Sequence, residues 1–268
     1  MKNRYKILSV MIALSLLCLV FAGCSQKDPE NIDDTVQVKD AYKVGIIQYM
    51  SHPSLDNCYN GIIAGLEEQL GDKVQVTKQI GSDSSADADC ATYAKTMMSN
   101  DYDMVIAIAT PAAASAYAAA EGYDTPVIFC AVSDPVSAKI VKSLESPGNN
   151  CTGTSDILDM EAQVNLIKAL QPEAKTIGVL YTSSEANSIT QLENLRKAAS
   201  AKGLTVEASA VQNASDIPTA AAALVSKVDC LNNFTDNNVV NNLSVVLDAA
   251  NAAGIPVYGS EIEQVKKG

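Results

Sequence analysis

Val44-Gly45-Ile46-Ile47, then the turn Gln48-Tyr49-Met50-Ser51-His52-Pro53, then Ser54 to Leu70, is the stretch that decides the fold. A short β-branched run reads as a strand. The segment after the turn places Leu55, Tyr59, Ile62, Ile63 and Leu66 on one face of a helix. The same beat continues outward. Strands are expected at Val74 to Ile80, Met104 to Ala109 and Val127 to Val132, and helices at Ser84 to Ser99 and Pro111 to Glu121. Beyond residue 150 come helix Met160 to Leu170, strand Ile177 to Tyr181, helix Ala186 to Lys202 and strand Leu204 to Ala208. Helix 216–226, strand Val228 to Leu231, helix Val239 to Ala253 and strand Val257-Tyr258 complete the series. Alternation at this spacing predicts an α/β protein with parallel sheets covered by helices on both faces.

The rhythm breaks at Ser146-Pro147-Gly148-Asn149-Asn150, which divides the pattern into an N-terminal lobe, 43–150, and a C-terminal lobe, 151–268. The remainder of the chain has a different character. Lys2, Arg4 and Lys6 precede the apolar run Ile7 to Phe21, and Ala22-Gly23 supplies small residues before Cys24. This is the layout of a secretory signal over residues 1–23, with an apolar run short of the ~20 residues that span a bilayer. The cysteine directly after Ala22-Gly23 makes it resemble a bacterial lipoprotein signal, cut before Cys24 and acylated on its thiol. Residues 24–42 are polar and acidic and read as a flexible tether reaching roughly 20–25 Å. Localisation at the extracytoplasmic face of the cell membrane, held by lipid only, follows as an expectation.

The chain of 268 residues has a net charge of −12. Loss of Lys2, Arg4 and Lys6 would take it to about −15, a surface that repels nucleic acid. Cys18 would leave with the signal. Cys58, Cys90, Cys130, Cys151 and Cys230 remain, an odd number at wide spacing and without a CxxC, and read as free thiols rather than a disulfide scaffold. His52 is the sole histidine, so no metal site is expected. No phosphate-binding glycine loop is present in the sequence.

In parallel α/β sheets ligands sit beyond the carboxyl ends of the strands, and those turns are polar here. Thr110-Pro111-Ala112-Ala113 opens a helix with proline in its first turn, and the threonine can cap free N–H groups beside two small residues. That is a cradle for a carboxylate, or simply a well-capped helix. Ser133-Asp134, Ser183-Ser184-Glu185-Ala186-Asn187 and Thr235-Asp236-Asn237 follow other strands.

The phrases Y-K-V-G-I-I-Q-Y-M-S-H-P-S-L-D, A-T-P-A-A, S-D-P-V, C-T-G-T-S-D, L-Y-T-S-S-E-A-N-S, T-D-N-N-V-V and I-P-V-Y-G-S-E-I-E-Q-V-K-K-G occur in order from Tyr42 to Gly268. Together they resemble solute-binding lipoproteins of ABC transporters, in the group with the tryptophan/tyrosine-binding type of receptor. The resemblance implies a type I periplasmic-binding-protein fold of two Rossmann-like lobes. It also implies an aromatic or other hydrophobic amino acid as cargo, no cofactor, and a permease and an ATPase as partners of a monomeric receptor.

On this chain the resemblance implies ligand-binding positions at Gln48, His52, Thr110, Pro111, Ala112, Ala113, Ser133, Asp134, Ser183, Glu185, Asn187, Thr235, Asp236 and Asn237. Thr110 and the amides of Ala112 and Ala113 would hold a carboxylate. Asp236 or Asp134 would accept from an ammonium. Gln48, Ser133, Ser183 and Asn187 would tune closure, and Tyr49, Tyr181 or Phe234 would offer an aromatic face. Relatives continue past Lys266-Lys267-Gly268 with a further strand and helix, so the fold is expected to be truncated at its C-terminus. A sensory lipoprotein signalling to a membrane kinase shares every one of these features and stays open. A hydrolase built on His52 with Cys58 or Asp56 is the remaining alternative, with no supporting motif.

Overall fold

A computed structural model describes residues 41–268. The signal segment, Cys24 and nearly all of the expected tether lie outside the described residues. The first half runs β1 (Tyr42–Gln48), α1 (Pro53–Leu70), β2 (Val74–Ile80), α2 (Ala86–Ser99), β3 (Met104–Ile108), α3 (Thr110–Ala119), β4 (Val127–Cys130) and β5 (Cys151–Gly153). The second runs α4 (Met160–Leu170), β6 (Thr176–Thr182), α5 (Ala186–Ala201), β7 (Thr205–Val211), α6 (Ile217–Val225), β8 (Cys230–Asn233), α7 (Asn237–Asn241), α8 (Leu243–Ala253), β9 (Val257–Gly259) and α9 (Ile262–Lys267).

Two parallel sheets result, ordered β2-β1-β3-β4-β5 and β7-β6-β8-β9. Both place their first strand between the second and the third, so the strand order reverses beside β1 and beside β6. A crevice opens at such a reversal, at the carboxyl ends of the strands.

The buried residues explain why these segments pair. Ile46, Ile47, Val105 and Ile108 are wholly or almost wholly enclosed, each contributing about 1.5–3 kcal/mol of apolar burial. In the second sheet the alternation along β6 is visible in its packing. Ile177 and Val179 join a core with Val164, Ile167 and Leu195, whereas Leu180 faces a core with Ile217, Leu224 and Val246. One strand therefore welds helices onto both faces.

Three boundaries depart from the sequence reading. Cys151–Gly153 pairs with β4, so the first sheet extends past residue 150 and the crossing to the second falls at residues 154–159. The expected helix Val239 to Ala253 is broken. At the break, Asn242 leaves helical geometry and its side chain donates to the Asn238 carbonyl (2.9 Å), competing with the backbone ladder. Strands β3 and β4 stop at Ile108 and Cys130 because Ala109 (φ 81°) and Ala131 (φ 55°) turn into positive φ. For a residue with a Cβ such geometry costs about 1–3 kcal/mol.

Candidate functional site

Both strained alanines border one cavity of about 270 Å³, near the small end of ligand sites. It lies where the two sheets face each other. Its walls come from the starts of α1 and α3, the ends of β4 and β5, and the turns after β6, β8 and β9. Apolar surface is supplied by Leu55, Cys58, Ala109, Cys130, Ala131 and Val240.

Four polar side chains of the wall carry a buried atom with no hydrogen-bonding partner in the protein: His52 Nδ1, Ser54 Oγ, Asp156 Oδ1 and Asn187 Oδ1. Buried polar atoms are ordinarily paired, so these mark where a polar guest is accommodated. Their neighbours set their roles. His52 Nε2 lies 3.4 Å from Asn237 Oδ1, and burial holds the imidazole below its ordinary pKa. The neutral ring then donates from Nε2 and offers Nδ1 as an acceptor. Asn187 Nδ2 is committed to Glu185 Oε2 (3.2 Å) and to the Thr235 carbonyl (3.3 Å), which turns its own carbonyl free. Burial raises the Asp156 carboxyl, partly offset by the Ser133 hydroxyl. A carboxylate so placed gains from a cation beside it.

Glu185 lies beneath this wall rather than in it. Its Oε2 accepts from Asn237 N (3.2 Å), Asn237 Nδ2 (2.6 Å) and Asn187 Nδ2 (3.2 Å), and so positions both asparagines. Complete burial, then the charge of Asp236, pushes its carboxyl up to about 8.

The residues expected from the sequence divide accordingly. His52, Thr110, Ser133, Asn187, Thr235 and Asn237 line the cavity. Asp236 does not. Its carboxylate is buried and accepts from Thr182 N, Thr182 Oγ1 (2.8 Å), Ser188 Oγ (2.7 Å) and Val239 N (3.0 Å). Those four donors use its acceptor capacity, so the ammonium role expected of it is corrected. Asp134 lies outside the cavity lining and accepts from Ser137 N and Oγ. Gln48 braces the first turn, donating to the Met50 carbonyl and Asp56 Oδ1. Ser183 is exposed and donates to the Val211 carbonyl.

The helix cradle also changes. Ala109, not Thr110, is the cap of α3, and no side chain caps it. Ala113 N bonds the Ala109 carbonyl (3.0 Å), leaving Thr110 and Ala112 as first-turn amides without an intrahelical acceptor. Pro111, Ala112 and Ala113 stand behind the wall. Phe234 is fully buried in the second core, Tyr181 packs on that core, and Tyr49 is buried in the first; none of the three lines the cavity. The sequence reading does not place Ser54, Cys58, Cys130 or Asp156 at the ligand, and names Cys58 only as a nucleophile candidate beside His52. The signal that could have found Cys130 and Asp156 is position, since Cys130 ends β4 and Asp156 follows β5. Recognising β5 as a strand was the absent step.

The two halves touch through Ser133 Oγ, which accepts from Gln191 Nε2 (3.0 Å) and lies 3.2 Å from Thr235 Oγ1, and through Asn57 Nδ2 to Glu263 Oε1 (3.2 Å). With His52 against Asn237, the crevice is closed.

Known proteins match this arrangement. The ABC transporter substrate binding protein family profile matches residues 43–268. A tyrosine-binding protein of Clostridioides difficile (strain R20291) is 38% identical over 272 residues, covering 98% of this chain and 77% of that protein. The crystal structure of an ABC domain in complex with L-Trp from Streptococcus pneumonia superposes with TM-score 0.80 at 40% identity, covering 85% of this chain and 77% of the other. A ligand-free, open substrate-binding protein with adhesive properties from Clostridium difficile, 34% identical over 84% of this chain and 76% of its own, reaches only 0.59. Similar identity with unequal superposition agrees with the closed crevice seen here. The two lobes have the type I periplasmic-binding-protein fold, and the chain belongs to the ABC transporter substrate-binding protein family.

Proposed function

We propose that this protein is the lipid-anchored, extracytoplasmic receptor of an ABC importer, and that it binds an aromatic or other hydrophobic amino acid between its lobes. The observation that carries the reading is the set of unpaired polar atoms on one small, half-apolar wall. Asp156 Oδ1, Asn187 Oδ1 and His52 Nδ1 are acceptors suited to an ammonium's three N–H groups, with Asp156 supplying the opposite charge. The Ser54 hydroxyl and the first-turn amides of α1 and α3 suit a carboxylate. Leu55, Val240 and the two thiols take the side chain. The L-Trp complex and the tyrosine-binding relative support the choice of cargo. The protein's part is binding: ligand contacts to both lobes favour the closed form that a permease would recognise.

Calorimetric titration and thermal unfolding with L-Tyr, L-Trp, L-Phe and L-Leu test this. A ligand at 100 times its Kd stabilises by about 2.7 kcal/mol, several degrees in a chain of this size. Asp156→Asn should weaken binding at least tenfold and leave the fold intact. A panel with no binder, or an Asp156→Asn variant with unchanged affinity, overturns the assignment. Export and anchoring are tested by labelled fatty-acid incorporation, expected to vanish in Cys24→Ala. Among the described residues no helix is long and apolar enough to cross a membrane.

A further inference from the structure

A hydrogen-bonded path crosses the crevice and ends in the ligand cavity. Glu185 Oε2 accepts from Asn237 Nδ2 (2.6 Å), and Asn237 Oδ1 lies 3.4 Å from His52 Nε2. His52 Nδ1, at the far end of the path, is buried on the cavity wall without a partner in the protein. Glu185 precedes α5 and Asn237 opens α7, both in the second half, whereas His52 precedes α1 in the first. Glu185 itself is fully enclosed and does not line the cavity.

We propose that Glu185 is a positioning residue for ligand specificity: acting through Asn237, it fixes the His52 tautomer that accepts from the ligand's ammonium, and so makes the receptor demand an amine. The inference rests on the proposed function, which supplies the ammonium.

The orientation follows from what each group can donate. Glu185 Oε2 accepts three N–H bonds, so the NH2 group of Asn237 faces the carboxyl and its carbonyl faces the ring. The backbone amide of Asn237 (3.2 Å) bonds the same oxygen and pins the residue from a second side. Opposite a carbonyl, His52 Nε2 carries the ring proton, and the imidazole presents a bare Nδ1 to the cavity. Burial keeps the ring neutral by lowering its pKa. With the amide reversed, NH2 would face Nε2, the proton would move to Nδ1, and a donor would meet the ammonium.

Glu185 excludes that reversed state. Its Oε2 also takes Asn187 Nδ2 (3.2 Å), which leaves Asn187 Oδ1 as a second free acceptor on the wall. Glu185 Oε1 has no partner in the protein. Because three N–H groups occupy Oε2, the proton of a neutral carboxyl sits on Oε1, and the asparagines meet the same acceptor in either state. Glutamine, with its carbonyl in place of Oε2, keeps this arrangement. Leucine abolishes it.

The test titrates the full-length protein calorimetrically with L-tyrosine and L-tryptophan, each against its deaminated analogue, hydroxyphenylpropionate or indolepropionate. Wild type and Glu185→Gln should prefer the amino acids. In Glu185→Leu the preference should fall about tenfold, roughly what one hydrogen bond to a charged group supplies. Asn237→Ala, which keeps the carboxyl and removes the middle link, should lower the preference in the same way and serves where Glu185→Leu fails to fold. A general folding defect weakens amino acid and analogue alike and leaves their ratio unmoved. His52 is the sole histidine, so nitrogen NMR of protein labelled in histidine, saturated with the amino acid, reads one imidazole: Nε2 protonated and Nδ1 bare in wild type and Glu185→Gln. A proton on Nδ1 in the wild-type complex overturns the proposal, as does a preference unchanged in Glu185→Leu or Asn237→Ala, or one lost equally in Glu185→Gln; each leaves the amino-acid reading standing. A wild type that binds neither amino acid overturns both.

Discussion

Replacing Asp236 separates two accounts of the second lobe. Were it the ammonium acceptor, Asp236→Ala would abolish binding in a well-folded protein. The structure requires the opposite. Four donors converge on the carboxylate, and two of them, Thr182 N and Val239 N, are backbone groups that cannot rotate away. Removing the side chain strands both, at ~1–3 kcal/mol per buried donor, and uncaps α7; a loss of about 4 kcal/mol is expected. At ~2–4 °C per kcal/mol for a domain of this size, the melting temperature falls by roughly 8–16 °C. The urea midpoint falls by about 1.5 M with unchanged slope. Asp236→Asn is the sharper variant. Either orientation of its amide places an NH2 group against one of the two backbone N–H groups, so about half the loss is expected with nearly the same volume. Circular dichroism in urea, paired with calorimetric titration of L-tyrosine on the folded protein, reads both effects. Unaltered unfolding together with abolished affinity in Asp236→Ala would refute the structural role.

Further outcomes follow from the same network. Glu185 is raised above its unfolded value toward about 8. Its contribution is therefore complete below about pH 4.5 and is lost as pH rises through 8, with a slope of up to ~1.4 kcal/mol per pH unit. Wild type should lose stability relative to Glu185→Gln between pH 5 and 9 in parallel urea melts, and parallel pH curves would count against the burial of an ionisable group there. Gln191→Ala removes the donor shared by Ser133 and Thr235; it should weaken ligand binding roughly fivefold to tenfold, at about 1 kcal/mol net for such a bond, with the melting temperature of the unliganded protein little changed. Ala131→Gly relieves positive φ and should raise the melting temperature by a few degrees, at ~1–3 kcal/mol of strain relieved; a lowered melting temperature would show that no strain is stored there.

The repeating strand–helix beat was legible because parallel strands buried on both faces read as short apolar runs, and each helix shows its own period. Val44 to Ile47 and Ser54 to Leu70 illustrate both. Cys151–Gly153 escaped because a three-residue strand has no period to detect. Its place is set by pairing with Val127 to Phe129, a non-local contact. The site was legible as a set of turns, since topology alone puts ligands at strand ends. Which side chains in those turns face the cavity was not, because a helix start can present Asp either as cap or as contact. Asp236 and Asp156 carry the same carboxyl. Donors surround the first, whereas the second keeps a free oxygen, and only the packing distinguishes them.

That distinction also bears on how closure is powered. The bonds joining the halves, from Gln191 to Ser133, Ser133 to Thr235, His52 to Asn237, and Asn57 to Glu263, run between polar side chains that water can replace. Each is worth about 1 kcal/mol net, so they orient the closed form more than they enforce it. Moving a two-state hinge from 1:99 to 99:1 takes ~5.5 kcal/mol of differential affinity, which must come from a ligand touching both halves at once. The cavity meets that requirement: Ser54, Thr110 and Asp156 come from the first half and its exit strand, Asn187, Thr235 and Asn237 from the second. The fully bonded carboxylate of Asp236 holds the second set rigid, and the incompletely bonded atoms of His52, Ser54, Asp156 and Asn187 leave closure dependent on the guest.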